Sequence, residues 1–371
     1  MDTRGLVPLF LMILVQLVYA GMNITSKLAM QSGMNPLILV AYRQIFATVS
    51  IFPFAYWLEW NTVPRMTKRI MFQLLVSSLT GATGNQVLYF WGLKYSTATI
   101  ACALSNLLPA FTFILAVIFR QENVKITKKA SVAKVLGTVL CVGGALLLSF
   151  YHGKVIGLGE SSIHWGYADK IEGTSTSGKS NSLLGPFVLI ASSLVWALWF
   201  IIQADISKKF PAPYTSTFYM CFLASFQCVV IALCFEHRAS EWSLYNAMRL
   251  TSSLYAGIVC TGLAYCLISW TIERRGPLYV SVFTPLQLVI TAIVSWALLR
   301  EKLYVGTAMG SLVIVFGLYS VLWGKNKEVN NKDAAIEVKV MEAIKDEEKD
   351  AKNDMELKSY MPSNGNHHVV T

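Results

Sequence analysis

Apolar residues in this chain come in long blocks separated by short polar stretches. Ten such blocks lie near residues 8–30, 36–58, 70–93, 97–119, 131–151, 183–205, 213–235, 250–272, 277–299 and 304–324. Each approaches the roughly 20 residues that a helix needs to cross a hydrocarbon core of about 30 Å. The pattern predicts an all-α polytopic membrane protein with ten transmembrane helices. The first block, with Arg4 ahead of it and Val18-Tyr19-Ala20 within it, has some features of a cleavable signal. Its apolar character continues to about Met30, which predicts a retained helix instead.

A shift of the chain against itself exposes a duplication. At 177 residues, Leu17-Val18-Tyr19-Ala20 aligns with Leu194-Val195-Trp196-Ala197, Pro36 with Pro213, Tyr42 with Tyr219 and Glu59 with Glu236. At 176, Gly81 meets Gly257, Tyr89 meets Tyr265 and Pro109 meets Pro285; at 173, Gly137 and Gly144 meet Gly310 and Gly317. The unit repeated is five helices. Five is odd, so the second copy must enter the bilayer from the opposite side, and inverted 5+5 repeats are a signature of carriers that alternate between two open faces. The predicted organisation is a first five-helix repeat over 1–151, a Gly/Ser-containing non-cytoplasmic linker over 152–182, a second repeat over 183–324 and a tail over 325–371. The tail holds 8 Lys and 10 Asp/Glu in 47 residues, too charged to bury a core, and is expected to be a disordered cytoplasmic segment.

Composition agrees with this picture. Hydrophobic residues make up 54% of the chain and charged residues only 14%, against about 25% charged in ordinary soluble domains. The net charge of +10 is spread over short loops rather than gathered on one face, so nucleic acid is not an expected partner. Fourteen Lys and Arg fall on the face that carries the N-terminus and eight on the other, which places both termini in the cytoplasm by the positive-inside rule. All seven cysteines lie inside apolar blocks, where small apolar packing is the expected role. There is no metal-ligand cluster, phosphate-binding glycine loop or paired carboxylate at membrane depth, so neither a cofactor nor an enzyme is expected. The expected partners are the lipid bilayer and a small-molecule solute.

Polar residues inside the blocks mark a candidate path. Gln16, Tyr19, Asn23 and Lys27 recur at helical spacing, so they share one face. Their repeat mates are Ser193, Trp196, Phe200 and Ala204, with Trp199 and Gln203 alongside, which predicts a cavity with one polar and one aromatic wall. Asn85 and Tyr89 are matched by Thr261 and Tyr265. Asn106 with Pro109, and Thr284 and Gln287 around Pro285, predict proline kinks near the path, with Pro109 and Pro285 as hinges. No Asp, Glu or His lies at mid-depth, so facilitated, bidirectional movement without strong proton coupling is expected.

The stretches LVYAGMNITSKLA, NPLILVAYRQIFAT, GATGNQVLYFWGL, NLLPAFTFILAVIFRQE and GPLYVSVFTPLQLV together resemble the plant branch of the drug/metabolite transporter superfamily. That branch has paired EamA domains and includes nodulin-21-like, Walls-are-thin-related and UmamiT transporters. The resemblance covers residues 5 to 325 and implies a ten-helix inverted fold with a central cavity and cytoplasmic termini. It also implies transport of amino acids, or in some members auxin, at the plasma or the vacuolar membrane; the plasma membrane is the expected site. The Tyr42-Arg43 pair matches the second-helix pattern, and Glu122 and Glu301 match the acidic residue closing the fourth helix of each domain.

Arg43 is the outlier. It sits well inside the second block, its repeat mate is Met220, and no carboxylate shares its depth. The readings open to it are backbone carbonyls at a kink, a solute carboxylate, or snorkelling to the interface.

Overall fold

A computed structural model describes residues 3–59, 63–95, 104–122, 129–151, 153–154, 184–299 and 304–328, with isolated positions 341, 345 and 349 in the tail. Most of the 152–182 linker, Glu301 and nearly all of the tail therefore lie outside the described residues. No strand forms among the described residues; the chain is a helical bundle. Its helices are α1 (Thr3–Gln31), α2 (Pro36–Phe54, continued by a π-helical turn Ala55–Glu59) and α3 (Lys68–Ser77, a π segment Ser78–Gly84, then Asn85–Lys94). Next come α4 (Leu108–Ile118), α5 (Lys129–Phe150), α6 (Leu184–Lys209) and α7 (Pro213–Phe235). Last are α8 (Ala247–Arg275, with a π segment Tyr255–Leu263), α9 (Pro277–Ser281 and Thr284–Leu299) and α10 (Val305–Glu328).

Eight of these are long and apolar enough to span a bilayer; α3 and α4 fall short of that measure. In α3 the reason is a run of polar residues, and the bundle satisfies them. Ser77 accepts from Trp199 Nε1 at 3.1 Å, Ser78 accepts from Gln227 Nε2 at 3.0 Å, and Thr83 donates to Gln227 Oε1 at 2.8 Å. Polar groups facing one another across helices cost little in hydrocarbon, whereas the same groups facing lipid would not be tolerated. The outer surface is correspondingly apolar, with Phe52, Phe222, Phe226 and Phe316 all exposed.

Helix starts follow from local chemistry. Asn35 accepts from Leu37 N at 2.9 Å ahead of Pro36, and Asn246 accepts from Met248 N at 2.9 Å to start α8. The ends of α7 are held by its neighbour. Glu59, at the end of α2, accepts from the N–H groups of Tyr214 (3.1 Å) and Thr215 (2.7 Å), while Glu236, at the end of α7, accepts from Asn35 Nδ2 at 3.3 Å. α2 and α7 thus run antiparallel along each other, each also packing on the π segment of α8 or α3 respectively.

Several close contacts join positions that the repeat shifts pair. Thr48 Oγ1 lies 3.2 Å from Ser225 Oγ, and Cys141 Sγ lies 3.7 Å from the carbonyl of Ile314. Between α5 and α10 the backbones touch through glycine. A Cβ on Gly137 would stand 2.7 Å from the Gly317 carbonyl, and one on Gly144 would stand 2.9 Å from that of Gly310.

The prolines act differently from the sequence expectation. Pro109 and Pro285 do not kink continuous helices. Each is the second residue of a new helix, after the two-residue turns Asn106-Leu107 and Val282-Phe283. At that position the missing N–H removes no hydrogen bond and the fixed φ suits the first turn, so the chain breaks cleanly where a mid-helix proline would have strained it.

Candidate functional site

Two adjoining cavities, of about 160 and 470 Å³, lie at the centre of the bundle. Both touch Arg43, Asn85, Tyr89, Thr284 and Gln287, so they form one space. The inner part is walled by Gln16 and Tyr19 of α1 and by Ser192, Ser193, Trp196 and Phe200 of α6. The outer part passes Asn23 and Asn106 and reaches Met30 and Leu39, near the end of α1 and the start of α2. The α1 residues face inward because their spacing keeps them on one stripe. The breaks in α4 and α9 bring Ser105, Asn106 and Thr284 to the wall, where interrupted backbone is tolerated because it borders a cavity.

Four residues expected on the path are not in the wall. Trp199 is fully buried behind it, donating to Ser77 and packing its ring 5.0 Å from Trp196 and 5.2 Å from Tyr265. Tyr265, Thr261 and Gln203 are buried as well. The aromatic wall is therefore two layers deep, with Trp196 and Phe200 in front and Trp199 and Tyr265 supporting them. Pro109 and Pro285 are buried at the two breaks and do not line the space. For Lys27 only the backbone is described, within α1. The sequence reading missed Gln86, Ser105 and Ser192. Their signal was adjacency, since each neighbours a residue that was singled out or its repeat mate.

Among the described residues, Arg43 takes none of the backbone or snorkelled positions. It is 6% exposed, and its Nε donates to Thr261 Oγ1 in the π segment of α8. Thr261 in turn donates to the Ala256 carbonyl at 2.9 Å. The hydroxyl thus acts as acceptor toward the guanidinium and donor toward the backbone, fixing the arginine against α8 while it also borders the cavity. Close by, Gln16 Oε1 and the Tyr19 hydroxyl are buried with no hydrogen-bond partner among the described residues.

A polytopic helical bundle enclosing a central space lined by polar and aromatic side chains has the form of a membrane carrier. The chain belongs to the EamA-like transporter family, whose model matches residues 6–150 and 183–323. It is similar to three proteins of Arabidopsis thaliana. WAT1-related protein At5g07050 is 39% identical over 86% of this chain and 81% of its own length. WAT1-related protein At5g13670 is 40% identical over 86% and 85%, and WAT1-related protein At2g39510 is 38% identical over the same shares. A solved crystal structure, 13% identical, superposes with a TM-score of 0.64 over 88% of this chain and 99% of that one, a likeness of fold. The protein is a membrane transporter of small solutes, and its family is one of transporters rather than enzymes.

Proposed function

We propose that the protein carries amino acids by facilitated, bidirectional movement, exporting them when the gradient points outward, through alternating access of two inverted five-helix repeats. The observation that carries this reading is the central cavity, walled from both matched stretches: α1, α3 and the approach to α4 on one side, α6 and α9 on the other. A polar wall facing an aromatic one suits a solute with a charged end and a side chain. The inverted arrangement is supported by Thr48 meeting Ser225 and Cys141 meeting Ile314, because two-fold-related halves touch at equivalent positions only along the axis. Matching π segments in α3 and α8, and matching breaks in α4 and α9, support it further. Among the described residues, no Asp, Glu or His borders either cavity, which favours uncoupled movement.

Both termini in the cytoplasm and residence in the plasma membrane complete the proposal; a fluorescent C-terminal tag quenched only from the cytosol of the cell surface would support them. The main test is a panel of radiolabelled solutes in proteoliposomes. Amino acids should equilibrate in both directions, and a severalfold accumulation driven by an imposed pH gradient would refute uncoupled transport. A second reading, export of auxin or another amphipathic metabolite, is favoured by the Trp196–Phe200 pair, ring centroids 6.0 Å apart, which offers a flat ring a stacking surface. Flux of indole acetate in preference to amino acids would select it.

A further inference from the structure

Resting on the reading of the cavity as the solute site, we infer that Arg43 is the anchor for a carboxylate on the transported solute, with Gln16 and Tyr19 facing the solute's N–H donors. A guanidinium set well inside a membrane helix is costly, so its charge needs an answer. Thr261 gives it a hydrogen bond but no negative charge. The polar side chains that share the cavity wall with it, among them Gln16, Tyr19, Asn85 and Tyr89, carry no carboxylate. Among the described residues no carboxylate pairs with it. Its repeat mate is Met220, buried in the apolar core, so the five-helix unit folds without a charge at this place.

The charge is therefore built into one half, at the wall of a cavity, with its plane set by Thr261. A guanidinium so fixed presents a planar fork of donors that matches a carboxylate. One cation in the described wall balances one negative charge, which suits a monocarboxylate and not a phosphate dianion. The unpartnered Gln16 Oε1 accepts hydrogen bonds only, so it calls for a donor on the ligand; the Tyr19 hydroxyl beside it can accept as well. Trp196 and Phe200 take the apolar remainder. The ligand class is an amphipathic monocarboxylate carrying an N–H group near the acid.

The test uses the full-length protein with paired probes: phenylalanine against phenylalaninamide, and indole-3-acetate against indole-3-acetamide. Flux into proteoliposomes and thermal stabilisation of the purified protein are both read. Wild type should favour at least one acid over its amide by about tenfold, the scale of a charge-assisted hydrogen bond. Arg43→Lys should keep a reduced preference. Arg43→Met, copying Met220, should lose the preference in both readouts, and Thr261→Val, which frees the arginine from α8, should weaken it while preserving the fold. Equal handling of acids and amides by wild type overturns the carboxylate anchor and leaves the transporter reading standing. A folded Arg43→Met or Arg43→Lys protein with unchanged preference also overturns it. If no probe moves or stabilises wild type, both readings fail.

Discussion

Glu59 shows what one side chain contributes far from the cavity. Its carboxylate caps the first N–H groups of α7, which begins at Pro213 after Ala212, a residue with no side-chain cap of its own. A negative charge at that end also meets the positive end of the helix dipole. Glu59→Gln keeps one acceptor and removes the charge, so it should lower stability by about 1–2 kcal/mol, seen as a lower melting temperature in detergent, while Glu59→Asp should lose less. An unchanged melting temperature in Glu59→Gln would assign the cap no energetic role. The sequence placed Glu59 at a helix end and paired it with Glu236, yet its partners lie 155 and 156 residues away and no local pattern announces them. Arg43 was legible to the same depth: its charge and its asymmetry could be read along the chain, but Thr261 as its partner required the packing of α2 on α8.

At the scale of elements, eight of the apolar blocks correspond to helices long and apolar enough to span a bilayer, whose thickness fixes their length; α7 begins and ends where its block does. What the blocks hid is irregular backbone. The π segments of α3 and α8 and the breaks in α4 and α9 are short, and hydropathy is blind to a hydrogen bond that skips one residue further. Glycine gave the nearest hint, since Gly81 and Gly257 sit inside the π segments at matched positions. A Cβ on Gly81 would fall within the indole of Trp199, and one on Gly257 would stand 2.5 Å from Phe46 Cβ and 2.8 Å from the Arg43 carbonyl. Gly257→Ala should therefore push α2 off α8, displace Arg43 and reduce transport about tenfold or prevent folding; overpacking of this kind costs about 1–3 kcal/mol. Gly143→Ala is the control, because nothing lies within 4 Å of its added methyl, and it should stabilise α5 by up to about 1 kcal/mol. Equal flux and equal melting temperatures for the two variants would contradict the close approach of α2 to α8.

The whole molecule is asymmetric in a way its repeats are not. Asn85 and Tyr89 face the cavity, while their mates Thr261 and Tyr265 are buried, so the space lies to one side of the centre and reaches toward the end of α1. The opposite end, where α1 starts, carries an ion cluster and a further hydrogen bond that join the first half of the chain to the second. Lys325 of α10 pairs with Glu122 beyond α4, Lys134 of α5 pairs with both Glu122 (3.0 Å) and Glu328 (2.7 Å), and Gln73 donates to Asp205 at 2.7 Å. If the halves rock, the bonds of Lys325 to Glu122, Lys134 to Glu328 and Gln73 to Asp205 must open as Thr261 and Tyr265 gain access to solvent and Asn85 and Tyr89 lose it. Lys325→Met removes a link across that end and leaves Lys134 shared between Glu122, which stays paired, and the more exposed Glu328. Losing a charge-assisted bond that exists in one state alone should shift the balance between the two states by about tenfold or more. Cys266, buried beside Tyr265, reports the shift. Its alkylation by a membrane-impermeant maleimide from the N-terminal face should rise by a similar factor in Lys325→Met, with Cys266→Ala as the background control. Labelling that stays at the wild-type rate in a folded Lys325→Met protein would mean that the ion cluster holds helices together but does not govern which face is open.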